Sequence, residues 1–138
     1  ARGVMRALRD WGMVSVAEMP LRSRLRADVM ALGPKGEIWI VECKSSRADF
    51  LSDQKWQGYL DWCDCYFWAV DPDFPTEILP AETGLFLADE FDAELARMAP
   101  LHALAAARRK SVTLDFGRRA AMRLQASIDP RLSGICAP

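Results

Sequence analysis

The sequence is short of the residues that several classes of protein need. Its 138 residues include one histidine and four cysteines, Cys43, Cys63, Cys65 and Cys136. These cysteines are not spaced as a disulfide framework, and Cys63 and Cys65 lack the second pair or the histidines that a zinc site needs. We therefore expect reduced thiols without zinc. No apolar run is long enough to cross a bilayer, so we expect a cytoplasmic protein without membrane contact.

Composition then limits the class of protein. Hydrophobic residues make up 51% of the chain and charged residues 27%, which excludes a disordered protein and favours a globular one. A chain of this length suits one hydrophobic core. We predict a single domain over residues 1–138, with a core at about 4–90 and a basic helical tail at about 101–128.

Charge is distributed unevenly, although the net charge is only −1. Residues 1–27 hold six arginines and two acids, residues 28–100 hold five bases and fifteen acids, and residues 101–138 hold seven bases and two acids. An acidic middle between basic ends is typical of a protein that binds a divalent cation centrally and an anionic polymer at its flanks. The alternative is that the basic helices are solvated surface.

Hydrophobic periodicity predicts an α/β (α+β) domain with a helix, three strands, a helix, two strands and C-terminal helices. Segment 37–44 is apolar throughout its centre, which indicates a strand buried on both faces. In the helix at 53–63, Trp56, Tyr59, Leu60 and Cys63 are predicted to face inward. The pattern places helices at 4–11, 53–63, 101–110 and 115–127, and strands at 13–19, 24–32, 37–44, 65–70 and 84–88.

Three ionisable residues interrupt these apolar strands. Glu42 and Lys44 end the strand at 37–44 and share one face, while Cys43 points the opposite way. The Gly-Pro-Lys-Gly turn at 33–36 predicts a hairpin that brings Asp28 near Glu42. Two carboxylates, with the backbone carbonyl of Cys43, form an oxygen site suited to Mg²⁺ or Mn²⁺. Such a cation activates water for phosphodiester hydrolysis, with Lys44 orienting the water, deprotonating it or neutralising developing charge. The alternative is a surface ion pair.

Weaker candidates surround this group. Glu18 interrupts the first strand and is a further candidate metal ligand, or an exposed acid. Lys55 and Tyr59 are four apart on the predicted helix and are candidates for contact with a phosphate, or alternatively a packed tyrosine beside a lysine. Ser45 and Ser46 are candidates to donate hydrogen bonds to a phosphate, or alternatively they cap the next helix.

Basic side chains on both flanks are candidates for binding DNA phosphates, and binding would then weaken steeply with salt. One group precedes the acidic centre and the other lies in the tail. They are Arg22, Arg24 and Arg26, and Arg108, Arg109, Lys110, Arg118, Arg119 and Arg123.

The spacing of Asp28 and Glu42-Cys43-Lys44 resembles the D…(D/E)-x-K signature of the PD-(D/E)XK nuclease superfamily, with Ala27 in place of the proline. Lys55 and Tyr59 resemble the Q-x-x-x-Y helix motif of its RecB-like members, with Lys in place of Gln. The stretch RADVMALGPKGEIWIVECKSSRADFLSDQKWQGYLDWCDCYFWAV followed by GLFLAD resembles the MmcB-like bacterial DNA repair family.

This resemblance covers roughly residues 14–90. It implies a restriction-endonuclease-like α-β-β-β-α-β core with a central mixed sheet, a bacterial nucleoid-associated location, and a divalent-metal site at Asp28 and Glu42 beside Lys44. It also implies DNA as the partner, along with other DNA repair proteins. Two functions remain open besides a nuclease: a non-catalytic DNA-binding or scaffolding module, and a metal-independent protein-interaction domain.

Overall fold

The computed structural model describes residues 1–53 and 55–133. Cys136, predicted to be a reduced thiol, lies outside them, and the other three cysteines are unpaired. None of the described helices is both long and apolar enough to span a membrane. The elements in chain order are α1 (Arg2–Asp10), β1 (Val14–Pro20), β2 (Arg26–Leu32), β3 (Ile38–Cys43), α2 (Arg47–Leu51), a 3₁₀ helix (Trp56–Trp62), β4 (Cys65–Val70), a 3₁₀ turn (Thr76–Ile78), β5 (Gly84–Ala88), β6 (Ala93–Arg97), α3 (Ala106–Ile128) and a 3₁₀ turn (Pro130–Leu132).

Within the described residues, six strands form one mixed sheet in the order β1-β2-β3-β4-β5-β6. The first three strands are antiparallel neighbours, β3, β4 and β5 run parallel, and β6 is antiparallel to β5. This arrangement confirms the α+β class with a central mixed sheet and is consistent with a restriction-endonuclease-like core. The parallel step from β3 to β4 needs a crossover, which residues 44–64 supply.

Each face of the sheet carries its own hydrophobic cluster. Every residue of β4 is buried, and its side chains alternate, so Phe67 belongs to one cluster and Trp68 to the other. Helix α1 packs Val4 and Leu8 into the Phe67 cluster. The 3₁₀ helix Trp56–Trp62 and α3 cover the opposite face, where α3 contributes Val112 and Phe116. The central strands are therefore covered on both sides, as the continuous apolar runs predict.

A buried carboxylate fixes α3 to the sheet. Asp64, only 4% exposed, accepts the backbone N–H groups of Ile38 and Leu104, each at 2.8 Å. Arg109 of α3 donates to both of its oxygens, at 2.7 and 2.6 Å. The Asp64 carbonyl also accepts the N–H of His102. These bonds hold residues 101–105 outside α3, where the sequence predicts a helix starting at 101.

The segment at 53–63 differs from the predicted amphipathic helix. It is a 3₁₀ helix from Trp56 to Trp62, preceded by the short α2. A 3₁₀ helix has three residues per turn, so Trp56, Tyr59 and Trp62 face the core together. Leu60, predicted to face inward, is 40% exposed.

Two further predictions about elements are wrong. Helices at 101–110 and 115–127 are predicted, but one helix, α3, runs from Ala106 to Ile128. Strand β6 is missed because Ala93–Arg97, with the sequence AELAR, is rich in helix formers. It pairs with β5 instead, since tertiary pairing overrides weak local preference.

Gly117, which lies inside α3, gives a test of this continuous helix. A methyl group added there would meet no atom within 4 Å, and glycine is a poor helix former. Gly117→Ala should therefore raise the free energy of unfolding by about 0.5–1 kcal/mol, measured by urea denaturation. Gly3→Ala is the contrasting variant, because its methyl group would collide with the carbonyl of Asp89. A loss of stability in Gly117→Ala would contradict a continuous α3.

Candidate functional site

The hairpin of β2 and β3 brings Asp28 and Glu42 together. The backbone ladder pairs Val29 with Val41, and at the next step the two carboxylates bridge the strands. Glu42 Oε1 accepts the N–H of Asp28 at 3.0 Å, and Asp28 Oδ2 accepts the N–H of Cys43 at 2.8 Å. The predicted proximity is therefore present, with each acid bound to the backbone of the opposite strand.

Glu42 is the buried member of this pair, at 5% exposure. Burial, and then the charge of Asp28, raise the pKa of Glu42 to about 9. A carboxylate in this position is costly to ionise, because it loses hydration and lies beside a second acid. Nearby positive charge would relieve that cost.

Lys44 extends the site from β3 into the crossover. Its ammonium lies 3.0 Å from Asp53 Oδ2 and 3.9 Å from Asp49 Oδ1, and its side chain is 12% exposed. Burial alone would lower the pKa of Lys44, but the hydrogen bond and charge of Asp53, with the charges of Asp49 and Glu42, raise it. Lys44 is therefore a fixed cation beside the carboxylate pair.

Sequence reasoning missed Asp49 and Asp53. Both lie in the crossover, Asp49 in α2 and Asp53 at the first position of the helix predicted at 53–63. The available signal was a buried lysine at a strand end, which needs a carboxylate partner. Ser45 is predicted to donate a hydrogen bond to phosphate. In the structure its N–H and hydroxyl donate to Asp49 Oδ2 at 3.0 and 3.3 Å. Ser46 is the N-cap of α2.

The donor set fits a hard divalent cation. Asp28 and Glu42 offer carboxylate oxygens, which suit Mg²⁺ when water and phosphate oxygens complete the coordination. No group of three or more His, Cys, Asp or Glu side chains placed to hold a metal occurs in residues 1–53 and 55–133. The Cys43 carbonyl is the further oxygen predicted from the sequence, whereas burial raises the pKa of the Cys43 thiol.

Glu18 lies beside Asp28 on the neighbouring strand, but its carboxylate forms an ion pair with Arg26. The pairs Ala17–Val29 and Met19–Ala27 flank it, and its φ of 53° marks a local distortion of β1. Its carboxylate lies 3.3 Å from Arg26, and both side chains are exposed. The structure thus pairs Glu18 with an arginine that the sequence assigns to DNA.

Lys55 and Tyr59 differ in setting. Lys55 is exposed at the N-cap of the 3₁₀ helix. Tyr59 is buried, and its hydroxyl donates to the carbonyl of Arg26 at 2.9 Å. Burial first, then the charges of Glu42 and Asp28, raise the pKa of Tyr59. Tyr59 supports the strand that carries Asp28, and a contact with DNA stays a prediction.

Some of the predicted basic side chains bind other groups of the protein, and others are exposed to solvent. Arg109 is bound to Asp64, Arg108 stacks 4.0 Å over the ring of Trp62, and Arg123 donates to the carbonyls of Ala17 and Glu18. These three arginines attach α3 to the rest of the domain. Arg22 is bound to Asp115. Arg24 and Arg118 are exposed, and Arg119 is partly buried.

Similarity to known proteins identifies the family of this chain. The family described as DNA repair protein MmcB-like matches residues 1–131. The chain belongs to the MmcB-like family. The match contains the hairpin, the crossover and all of α3, so the MmcB-like assignment covers more of the chain than the resemblance at 14–90. The family description suggests a role in DNA repair.

A solved structure is similar over the whole MmcB-like chain. It is described as SPO1766 protein of unknown function from Silicibacter pomeroyi, and it is 63% identical in sequence with a TM-score of 0.92. The similarity covers 99% of this chain and 93% of that one. A search of curated proteins gave no match.

Proposed function

We propose that this MmcB-like protein is a divalent-metal-dependent deoxyribonuclease acting in DNA repair. The observation that carries the proposal is the Asp28–Glu42 pair, of which Glu42 is buried, with the Lys44 ammonium beside it. Buried strands seldom hold three ionisable groups without a role. Asp28 and Glu42 would hold Mg²⁺ or Mn²⁺, which when bound lowers the pKa of water and offsets charge on a phosphate.

The chain's own residues would then supply positioning and charge. The N–H groups of Asp28 and Cys43 fix the two carboxylates. Asp53 holds the Lys44 ammonium in the crossover. From there Lys44 would orient the attacking water or neutralise charge that develops on the phosphate. Its raised pKa favours this cationic role over that of a base.

A second candidate is a non-catalytic DNA-binding or scaffolding module. This candidate is favoured by the two ion pairs of Lys44, with Asp49 and Asp53, because they already neutralise the Lys44 ammonium. A panel of single-stranded, duplex, flap and gapped DNA, each with Mg²⁺, Mn²⁺ or EDTA, separates the two. Cleavage that EDTA abolishes supports the nuclease. Binding without cleavage on every structure supports the module.

The metal site has a test that does not depend on activity. Asp28→Asn keeps an oxygen for the Cys43 N–H but removes one of two neighbouring negative charges. In EDTA above about pH 9, where Glu42 is ionised, the variant should melt above wild type, because the like-charge repulsion is gone. Mn²⁺ at about a hundredfold over its Kd should stabilise wild type by about 2.7 kcal/mol and leave Asp28→Asn unchanged.

Glu90→Gln is the matched control for this thermal shift, since Glu90 is exposed and lies outside the site. It removes one acidic charge and should respond to Mn²⁺ as wild type does. An equal response in Asp28→Asn would exclude the Asp28–Glu42 pair as the metal site.

A further inference from the structure

A cavity of about 460 Å³ lies between α3 and the connection from β1 to β2. Its apolar wall includes Met19, Leu21 and Met122, and arginines line its rim. The volume is within the range of about 300–1,000 Å³ typical of small-molecule sites. A cavity with apolar walls and a cationic rim suits a ligand that combines a flat apolar group with an anion.

Two of the rim arginines are available to such an anion. Arg22 also lines the cavity, but Asp115 binds it through two hydrogen bonds of 2.8 and 3.0 Å. The guanidinium groups of Arg24 and Arg118 have no hydrogen-bond or ion-pair partner among the described residues, and both side chains are exposed. Paired planar donors of this kind bind phosphate well.

Arg24 also has an unusual backbone. Its φ is 73°, in the left-handed region that favours glycine and strains other residues. It closes a tight turn in which its N–H donates to the Leu21 carbonyl at 3.0 Å and the Leu25 carbonyl accepts the Leu21 N–H at 2.8 Å. Glycine would adopt the same turn without strain. Strain of this kind is concentrated at binding sites.

The cavity is tied to the elements that carry the candidate metal site. Met19 lies on β1 opposite Ala27 of β2, one residue before Asp28. On the other side, Arg123 of α3 donates to the Ala17 and Glu18 carbonyls. A ligand bound in the cavity would therefore lie next to the hairpin that carries Asp28.

We propose that this cavity binds one unpaired nucleotide of a DNA strand. Arg24 and Arg118 hold its phosphate, and its base packs against Met19, Leu21 and Met122. A base within a duplex is stacked and paired and does not enter a pocket, so the site selects single-stranded regions. This inference rests on the proposed function for its choice of DNA as the ligand.

The test measures binding of a labelled single-stranded oligonucleotide by fluorescence anisotropy, in EDTA and low salt. Arg24→Gly and Arg118→Ala should each weaken binding about tenfold, because each removes a charge-assisted hydrogen bond to phosphate. An oligonucleotide of equal length with abasic sites should bind wild type about tenfold more weakly, since no base fills the cavity. Arg24→Gly should melt at or above the wild-type temperature, which excludes misfolding as the cause.

Arg9→Ala is the matched control, because Arg9 is exposed on α1 across the sheet and its loss changes the net charge equally. It should bind like wild type. The proposal is overturned if Arg24→Gly binds like wild type, if Arg9→Ala loses as much affinity, or if abasic DNA binds equally well. Because EDTA removes the metal, loss of binding in the cavity variants and loss of cleavage at Asp28 and Glu42 are read independently.

Discussion

Lys44→Ala is expected to cleave DNA on the order of a hundredfold or more slowly than wild type. Its ammonium lies beside the Asp28–Glu42 pair, where charge would develop on a phosphate. A protonated amine has no lone pair for a metal, so the Mn²⁺-induced thermal shift and most DNA affinity should persist. Glu42→Gln should instead lose the thermal shift and cleavage together. Single-turnover cleavage with Mn²⁺ at saturating protein measures the rate.

Lys35→Ala is the matched control for this loss of charge. Lys35 is exposed in the turn at the far end of the same hairpin, and its variant should cleave at the wild-type rate. Lys44→Met retains most of the aliphatic stem and should be as slow as Lys44→Ala. Cleavage by Lys44→Ala at the wild-type rate would exclude the role proposed for this residue, even with the metal site intact.

Asp64→Ala is expected to lower the free energy of unfolding by about 3–5 kcal/mol. The substitution removes the acceptor for Ile38, Leu104 and Arg109 together, and leaves buried donors without partners. A domain of ordinary stability has only about 5–15 kcal/mol in total, so the variant should be severely destabilised. Urea denaturation measures the loss.

The same ion pair makes this contribution depend on pH. Burial alone would raise the pKa of Asp64, but the hydrogen bonds from Arg109, Leu104 and Ile38 lower it below its ordinary value of 3.8. The folded protein then releases this proton more readily than the unfolded chain. The stabilisation is therefore complete above about pH 5 and is lost as the pH falls through the folded pKa. The difference in free energy of unfolding between wild type and Asp64→Asn should therefore become smaller as the pH falls below about 5.

Asp61 provides the control for Asp64. It is exposed, and the interaction described for it, with Arg108, uses its backbone carbonyl. Asp61→Ala should change stability by no more than about 0.5 kcal/mol. A comparable loss in both variants would mean that the Asp64 network does not hold α3 against the sheet.

The hairpin and its two acids could be predicted because their information is local. An apolar strand, a turn with two glycines and a second strand set the register, and the register brings Asp28 opposite Glu42. The partner of Lys44 could not be predicted in the same way. Asp53 reaches it only after β3 and β4 pair in parallel and the crossover folds over the sheet.

The errors in secondary structure also have physical causes. Trp56, Tyr59 and Trp62 recur every third residue, which is the period of a 3₁₀ helix, but the apolar residues of 53–63 also fit the 3.6-residue period that predicts an α-helix. The non-helical start of the tail depends on Asp64, which is distant in sequence and accepts the Leu104 N–H. A local pattern does not encode such a contact.

Arg123 has one more consequence, which concerns association between molecules. Strand β1 is an edge of the sheet, and an open edge can pair with a strand from another copy of the chain and begin aggregation. At the distorted position in β1, Arg123 occupies the carbonyls of Ala17 and Glu18. A side chain from α3 thus uses two backbone acceptors of the edge strand, so these two acceptors are not available to a strand from another copy.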